Sequence, residues 1–204
     1  MSPPTATAVP TDDDLVRLAL AGSADAHRQI VERYQRPVLA LVGRMVRDPS
    51  LAEDIAQEAF VRAFHRLASY DPGRKFSSWL FKIAHNRTID HLRRRHLKTV
   101  PLEASDSSGD ETWEVFEAPE EEGPGRRAEA AELARALDVA LAALRPNYRE
   151  VLLLRFQGGL AYDEIAEATG RTLATVKVQL HRARKALAKE LAARGHAPPE
   201  GFSP

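Results

Sequence analysis

Residues 103–122 hold nine acidic side chains and no basic one, and a segment of that kind cannot sit inside a folded core. Its carboxylates repel one another, and burying an unpaired one is prohibitive. The wider stretch 97–127 adds Pro101, Pro119, Pro124, Gly109, Gly123 and Gly125, residues that punctuate regular structure. It reads as an acidic flexible linker without a core, whose 31 residues reach at most ~100 Å extended. Trp113, Val115 and Phe116 form a small apolar island within it, able to dock elsewhere. The chain must therefore fold as two bodies, one on each side.

The net charge of zero conceals how the other charges are sorted. Residues 71–102 carry eight Lys/Arg against two acids, and residues 171–194 carry seven against one. Two cationic lobes flanking an acidic tether suggest two contacts with a polyanion. Other classes drop out. With no cysteine, disulfide scaffolds, thiolate zinc sites and cysteine nucleophiles are excluded. The seven histidines form no ligand set with a carboxylate partner, and no glycine-rich loop cradles a phosphate. No catalytic residue, metal or cofactor is expected. The first ten residues lack the basic start and apolar run of a signal peptide, and no stretch approaches the ~18 apolar residues of a membrane span. The expectation is a soluble, cytoplasmic protein without membrane insertion.

Strand-like alternation is absent, so the fold class is all-α: two small helical domains, the second containing a helix-turn-helix. The expected division is a disordered N-terminus at 1–10, a first domain at 11–96, the linker at 97–127, a second domain at 128–194 and a tail at 195–204. In the first domain, Thr11 with Asp12, Asp13 and Asp14 opens a helix and Ser23 caps a second. Pro37 kinks that helix or starts a new one through Val46. Ser50-Leu-Ala-Glu53 reads as a capping box opening a helix to about Leu67. The turn Ser69-Tyr-Asp-Pro-Gly73 follows, then a helix from Phe76 to about Arg95. In the second domain, helices are expected at about Ala128–Leu144, Tyr148–Phe156, Tyr162–Ala168 and from a Thr172 cap to about Ala193.

A short helix, a turn at Thr169-Gly170 and a long basic helix make helix-turn-helix geometry. On the last helix Val176, Leu180, Ala183 and Leu187 fall on one stripe, with Lys177, Val178, His181, Arg182 and Lys185 opposite. Such a helix suits a major groove: Arg182 can grip a guanine edge, Val178 can touch a thymine methyl, and Lys185, Arg184 and Lys189 can meet phosphates. A solvated amphipathic helix is the plain alternative. In the first domain Trp79, Lys82, Asn86, Asp90 and Arg93 follow helical spacing, and a row of that chemistry can stack on an unpaired base. Arg74 and Lys75 would add phosphate contacts, although Trp79 can equally be core. The helix from Ser50 presents Asp54, Glu58, Val61 and His65 opposite a buried face of Ala56, Phe60, Ala63, Phe64 and Leu67. That acidic strip repels phosphate and fits either a protein partner or plain solvent.

These segments, taken in order, resemble a bacterial sigma factor of the small extracytoplasmic-function (ECF) kind over about residues 12–194. Ala52-Glu-Asp-Ile-Ala-Gln-Glu-Ala-Phe-Val-Arg-Ala-Phe64 is similar to the family's polymerase-docking signature. Phe76-Ser-Ser-Trp-Leu-Phe-Lys-Ile-Ala-His-Asn-Arg-Thr-Ile-Asp90 resembles its −10 recognition and melting segment. Leu160-Ala-Tyr-Asp-Glu-Ile-Ala166 and Ala174-Thr-Val-Lys-Val-Gln-Leu-His-Arg-Ala-Arg184 resemble its −35 helix-turn-helix. The resemblance implies a non-enzymatic initiation factor that binds core RNA polymerase and promoter DNA. Asp54, Gln57, Glu58 and Val61 would meet the clamp helices of the largest subunit. Arg74, Lys75, Phe76, Trp79, Lys82, Asn86 and Arg93 would take melted −10 DNA, with the loop at 74–76 capturing a flipped base. Lys177, Val178, His181, Arg182 and Lys185 would read the −35 duplex, and the acidic linker would thread the polymerase cleft. Many relatives are held by an anti-sigma factor, which nothing in this sequence requires. Val178-Gln179 stands where relatives often have a small polar residue and Arg, and Ala161 stands where a serine commonly caps. The alternative is a helix-turn-helix regulator that acts without being a polymerase subunit.

Overall fold

The computed structural model describes residues 9–46, 48–98 and 124–197. The linker between those last two segments, with its Trp113 island, and both chain ends lie outside the described residues. All regular elements among the described residues are helical. The first domain contains α1 (Asp12–Leu20), α2 (Ala24–Val46), α3 (Pro49–His65) and α4 (Phe76–Lys98). The second contains α5 (Pro124–Ala143), α6 (Pro146–Leu152), α7 (Tyr162–Thr169) and α8 (Leu173–Ala192). The helices flanking the linker run past its expected edges, α4 to Lys98 and α5 from Pro124.

In the first domain α2, α3 and α4 pack on one another and α1 lies on α2. Leu15, Ile30, Leu41, Ile55 and Leu80 are fully buried between them. Caps fix the entries. Thr11 and Asp14 form a reciprocal capping box on α1, and the Ser23 hydroxyl accepts the Ala26 N–H at 3.2 Å. The start of α3 corrects the Ser50 expectation: Asp48 is the cap, accepting the Leu51 N–H at 3.1 Å, and Pro49 is the first helical residue. Proline's fixed φ suits that first position and its missing N–H costs nothing there, so the helix begins before the serine. Pro37 lies inside α2, which is one continuous element. The lost backbone bond costs ~3 kcal/mol and is outweighed by Ile30 before it and Val38, Leu41 and Val42 after it, all buried.

In the second domain α8 packs on α5, α6 and α7, through buried Val176, Leu180, Ala183, Leu187 and Leu191. Arg149, itself buried, donates to the carbonyls of Leu141, Ala142 and Leu144 at 2.8, 2.6 and 3.1 Å. These carbonyls lie at the C-terminal end of α5, where helices run short of intrahelical donors. After α6 the chain widens into a π-helical turn, Leu153–Gln157, where sequence alone predicts continuing α-helix. Gly158 closes that turn: a Cβ there would lie 2.7 Å from the Leu160 side chain, 2.8 Å from the Leu154 carbonyl and 3.4 Å from Phe81 of the first domain. The two domains touch, and their buried residues form one cluster.

Candidate nucleic-acid interfaces

The helix-turn-helix is built from α7, α8 and the turn between them. Gly170 takes a left-handed conformation (φ 67°) and ends α7, and the Thr172 hydroxyl accepts the Thr175 N–H at 3.2 Å to start α8. Ala161 offers no capping oxygen, but Glu164 reaches back and accepts the Ala161 N–H at 2.7 Å, restoring half a capping box. The inward stripe of α8 is buried as its periodicity predicts. Lys177, Val178, His181, Arg182 and Lys185 are all exposed on the other side, Val178 at 49%. No ion pair or hydrogen bond among the described residues engages these side chains. Arg184, read from the sequence as a phosphate contact, is half-buried: its guanidinium lies 5.4 Å from the Phe156 ring centroid and donates to the Tyr162 hydroxyl at 3.2 Å.

The first domain's cationic segment is arranged differently. Phe76 is buried (2% exposed), in a cage with Tyr34, Tyr70 and Trp79 whose ring centroids lie 5.3–5.7 Å apart. Phe76 therefore shapes the loop before α4 from beneath. Trp79 is half-buried against the core. Arg74, Lys75, Asn86 and Arg93 are exposed. A hollow of about 320 Å³ opens between Tyr70, Arg74, Trp79 and Lys82, and its far wall is Glu164 and Glu167 of the second domain.

That wall is one of several contacts crossing between domains, none of which has a sequence signature. Lys82 pairs with Glu167. His85 Nε2 meets Glu150 Oε1 at 2.9 Å, and Arg171 holds the other oxygen of the same carboxylate. Burial pushes the Glu150 carboxyl up, but His85 and Arg171 outweigh it and hold the group below its ordinary range. Arg44 donates to Asp138 at 2.7 Å and to the Gln157 side-chain Oε1 at 2.9 Å, while Gln157 Nε2 donates to the Pro37 backbone carbonyl at 3.0 Å. For Asp138, burial prevails over Arg44 and raises its pKa. Beside these pairs a cleft of about 1040 Å³ runs between the domains, with Asn86 and Arg93 on one wall and Glu167 and Arg171 on the other.

The third surface is on α3. Asp54, Gln57, Glu58 and Val61 are exposed, Val61 at 53%, and the last three line a shallow depression of about 540 Å³ shared with Arg62 and Arg87. Arg87 of α4 pairs with Glu58 and so fixes its orientation, a role that spacing within one helix could not reveal. No cluster able to hold a metal occurs among the described residues. No described helix is long and apolar enough to cross a membrane.

Comparison with known proteins converges on one family. The description "Sigma-70 region 2" matches residues 30–97 and "Sigma-70, region 4" matches residues 134–187. The chain is 36% identical to the ECF RNA polymerase sigma factor SigW of Bacillus subtilis, covering 83% of this chain and 91% of SigW. It is 32% identical to the RNA polymerase sigma-H factor of Pseudomonas aeruginosa, over 88% of this chain and 93% of that one. Among solved structures, CnrH in complex with the cytosolic domain of CnrY matches with TM-score 0.57 at 26% identity, over 89% of this chain and 97% of CnrH.

Proposed function

This chain belongs to the ECF group of the sigma-70 family, and from that membership we propose how its residues divide the work of promoter recognition. As a sigma factor it is a non-enzymatic transcription initiation factor that binds core RNA polymerase and promoter DNA, region 2 serving the −10 element and region 4 the −35 element. In our reading Arg182 and Lys177 of α8 take base edges of the −35 duplex, Val178 and His181 tune which bases are accepted, and Lys185 takes phosphate. The supporting observation is the unpartnered cationic face of α8 set over a fully buried stripe.

Arg74, Lys75, Lys82, Asn86 and Arg93 hold the melted −10 strand, a base stacks on Trp79 in the hollow it lines, and Phe76 supports the loop from within. Each stacked base is worth ~1–3 kcal/mol, comparable to the stacking lost on melting, so opening needs no hydrolysis. Asp54, Gln57, Glu58 and Val61 dock on the clamp helices of the largest polymerase subunit. Residues 11–96 and 128–194 are the two working domains, joined through the polymerase cleft by the acidic linker. The site of action is the cytoplasm, where polymerase and promoters are. CnrH was solved with the cytosolic domain of CnrY, and an anti-sigma factor gripping both domains is the matching partner for this chain.

Run-off transcription with purified core polymerase, followed by sequencing of the start sites, tests the reading. Arg182→Ala is expected to lower promoter selectivity ~10-fold or more, the worth of one bidentate base contact. Asp54→Lys is expected to weaken polymerase binding while leaving duplex −35 binding intact. Normal initiation by both variants would refute the assignments, and tight operator binding without polymerase would favour the stand-alone regulator.

A further inference from the structure

The loop at residues 71–75, between the aromatic cage and α4, is held from two sides. On its outer side Asp71 folds it back: the carboxylate accepts the Gly73 N–H at 2.9 Å and the carbonyl accepts the Arg74 N–H at 2.9 Å. On its inner side stands the Tyr70 hydroxyl, 2.6 Å from the Arg74 carbonyl oxygen and 2.9 Å from Asp13 Oδ1 of α1. These two acceptors share its one proton. Burial and the Asp13 carboxylate both raise the Tyr70 pKa, so the phenol remains a donor wherever the protein is folded. Its ring is fixed by edge contact with Phe76 at 5.3 Å and by Trp79 at 5.7 Å. The base of the strut is equally fixed, because Asp12 of α1 accepts from Arg33 at 2.6 Å and from the Tyr34 hydroxyl at 2.5 Å.

We propose that Tyr70 is a positioning residue for capture of the unpaired −10 base, and that Asp13, the second acceptor for its one proton, sets how strongly it holds the loop, which makes α1 part of the recognition apparatus. Drawing the Arg74 carbonyl inward leaves the Arg74 side chain exposed at the rim of the hollow beside Trp79, with Lys75 exposed next to it in the chain. A loop already set in that geometry spares the incoming strand the entropy of ordering it. Without the hydroxyl, the Arg74 carbonyl loses its partner and the loop samples other conformers. The inference rests on Arg74 and Lys75 being −10 contacts, and its test is arranged so that the two ideas fail separately.

Tyr70→Phe removes only the hydroxyl and keeps the ring in its cage. The measurement uses the full chain in holoenzyme, on a promoter from the run-off selection, comparing a template pre-melted across −10 with the closed duplex. Tyr70→Phe should lose about three- to tenfold in preference for the melted template, the worth of one hydrogen bond. Binding to a −35-only duplex should change less than twofold, whereas general destabilisation would lower both. Asp13→Ala leaves the Arg74 carbonyl as the only one of these two acceptors, so it should hold or raise the preference while Tyr70 is intact and change nothing in the Tyr70→Phe background, since both act through one hydroxyl. A double Arg74→Ala/Lys75→Ala variant is the reference. If it leaves the preference for melted DNA intact, the assignment of the loop falls and this inference with it. If it abolishes the preference while Tyr70→Phe does not alter it, only the positioning role is overturned. A loss of preference from Asp13→Ala, alone or on top of Tyr70→Phe, would also overturn it.

Discussion

The two surfaces proposed for DNA are built alike, each a cationic helix face laid over a buried stripe, yet their surroundings differ. Lys177, Val178, His181, Arg182 and Lys185 on α8 point away from the protein. On α4, Lys82 is paired with Glu167 and His85 with Glu150, so acids of the second domain stand against the face that would hold DNA. Residue pattern locates a nucleic-acid surface; whether it is open depends on what the rest of the chain lays across it. In this arrangement the −35 surface is ready for duplex, and the −10 surface is reached fully only when the domains part. A sigma factor spanning both promoter elements on polymerase must separate them in any case, and the linker allows that reach.

The largest effect should come from the pair holding the domains together. Arg44 and Asp138 are 8% and 16% exposed, and truncating the cation strands a buried carboxylate. Arg44→Ala should destabilise the closed arrangement by about 3 kcal/mol, the low end for breaking a buried pair. Small-angle scattering should then report a larger radius of gyration for the free chain, and binding to an unpaired −10-strand oligonucleotide should rise. Duplex −35 binding should stay as it was, since α8 is already open. A chain that expands without gaining affinity for unpaired DNA would show that coverage does not limit the −10 face.

A smaller change sharpens the same contrast. Glu167 is 60% exposed, and a pair at such a surface is worth under about 1 kcal/mol. Glu167→Gln keeps the size of the side chain and releases Lys82. It should raise the free chain's affinity for the unpaired strand about two- to fivefold at low salt, and less as screening shortens the reach of the charge. Fluorescence anisotropy at two salt concentrations measures both. No gain at either would mean that Lys82 contributes nothing to DNA while the domains are together.

The contrast also shows where sequence reading succeeds and stops. The stripe Val176, Leu180, Ala183 and Leu187 was legible because helical periodicity is local, and the Ser23 and Thr172 caps for the same reason. Ser50 misled because Asp48 and Pro49 offered a stronger start two residues earlier. Pro37 gave no hint that buried neighbours would carry α2 through it. Charge and spacing are likewise blind to the Phe156 ring and the Tyr162 hydroxyl that Arg184 meets. The contacts between domains, such as Arg44 with Asp138 at a separation of 94 residues, leave no periodic trace. Nor does the Tyr70 hydroxyl, whose partner Asp13 lies 57 residues away and reads locally as one of three acids at a helix start.

The smallest effect is on acidification, and its sign follows from two carboxyls that oppose each other. Glu150, facing His85 and Arg171, has its pKa held below the ordinary 4.5. The stability it lends is fully present above its unfolded value and is lost as pH falls through the folded one. Asp138 runs the other way, because burial raises its pKa despite Arg44. It binds its proton more readily in the folded chain, so acidification returns some of what Glu150 loses. Between about pH 6 and pH 3, where carboxyls ordinarily titrate, the closed arrangement should therefore loosen only modestly. The two variants separate the contributions. Asp138→Asn removes the opposing group and should steepen the acid loosening seen by scattering, while Glu150→Gln should flatten or reverse it. Identical acid profiles for both variants and the parent would mean that the contact between the domains is set by its apolar cluster, with the bridging ions adding no pH dependence.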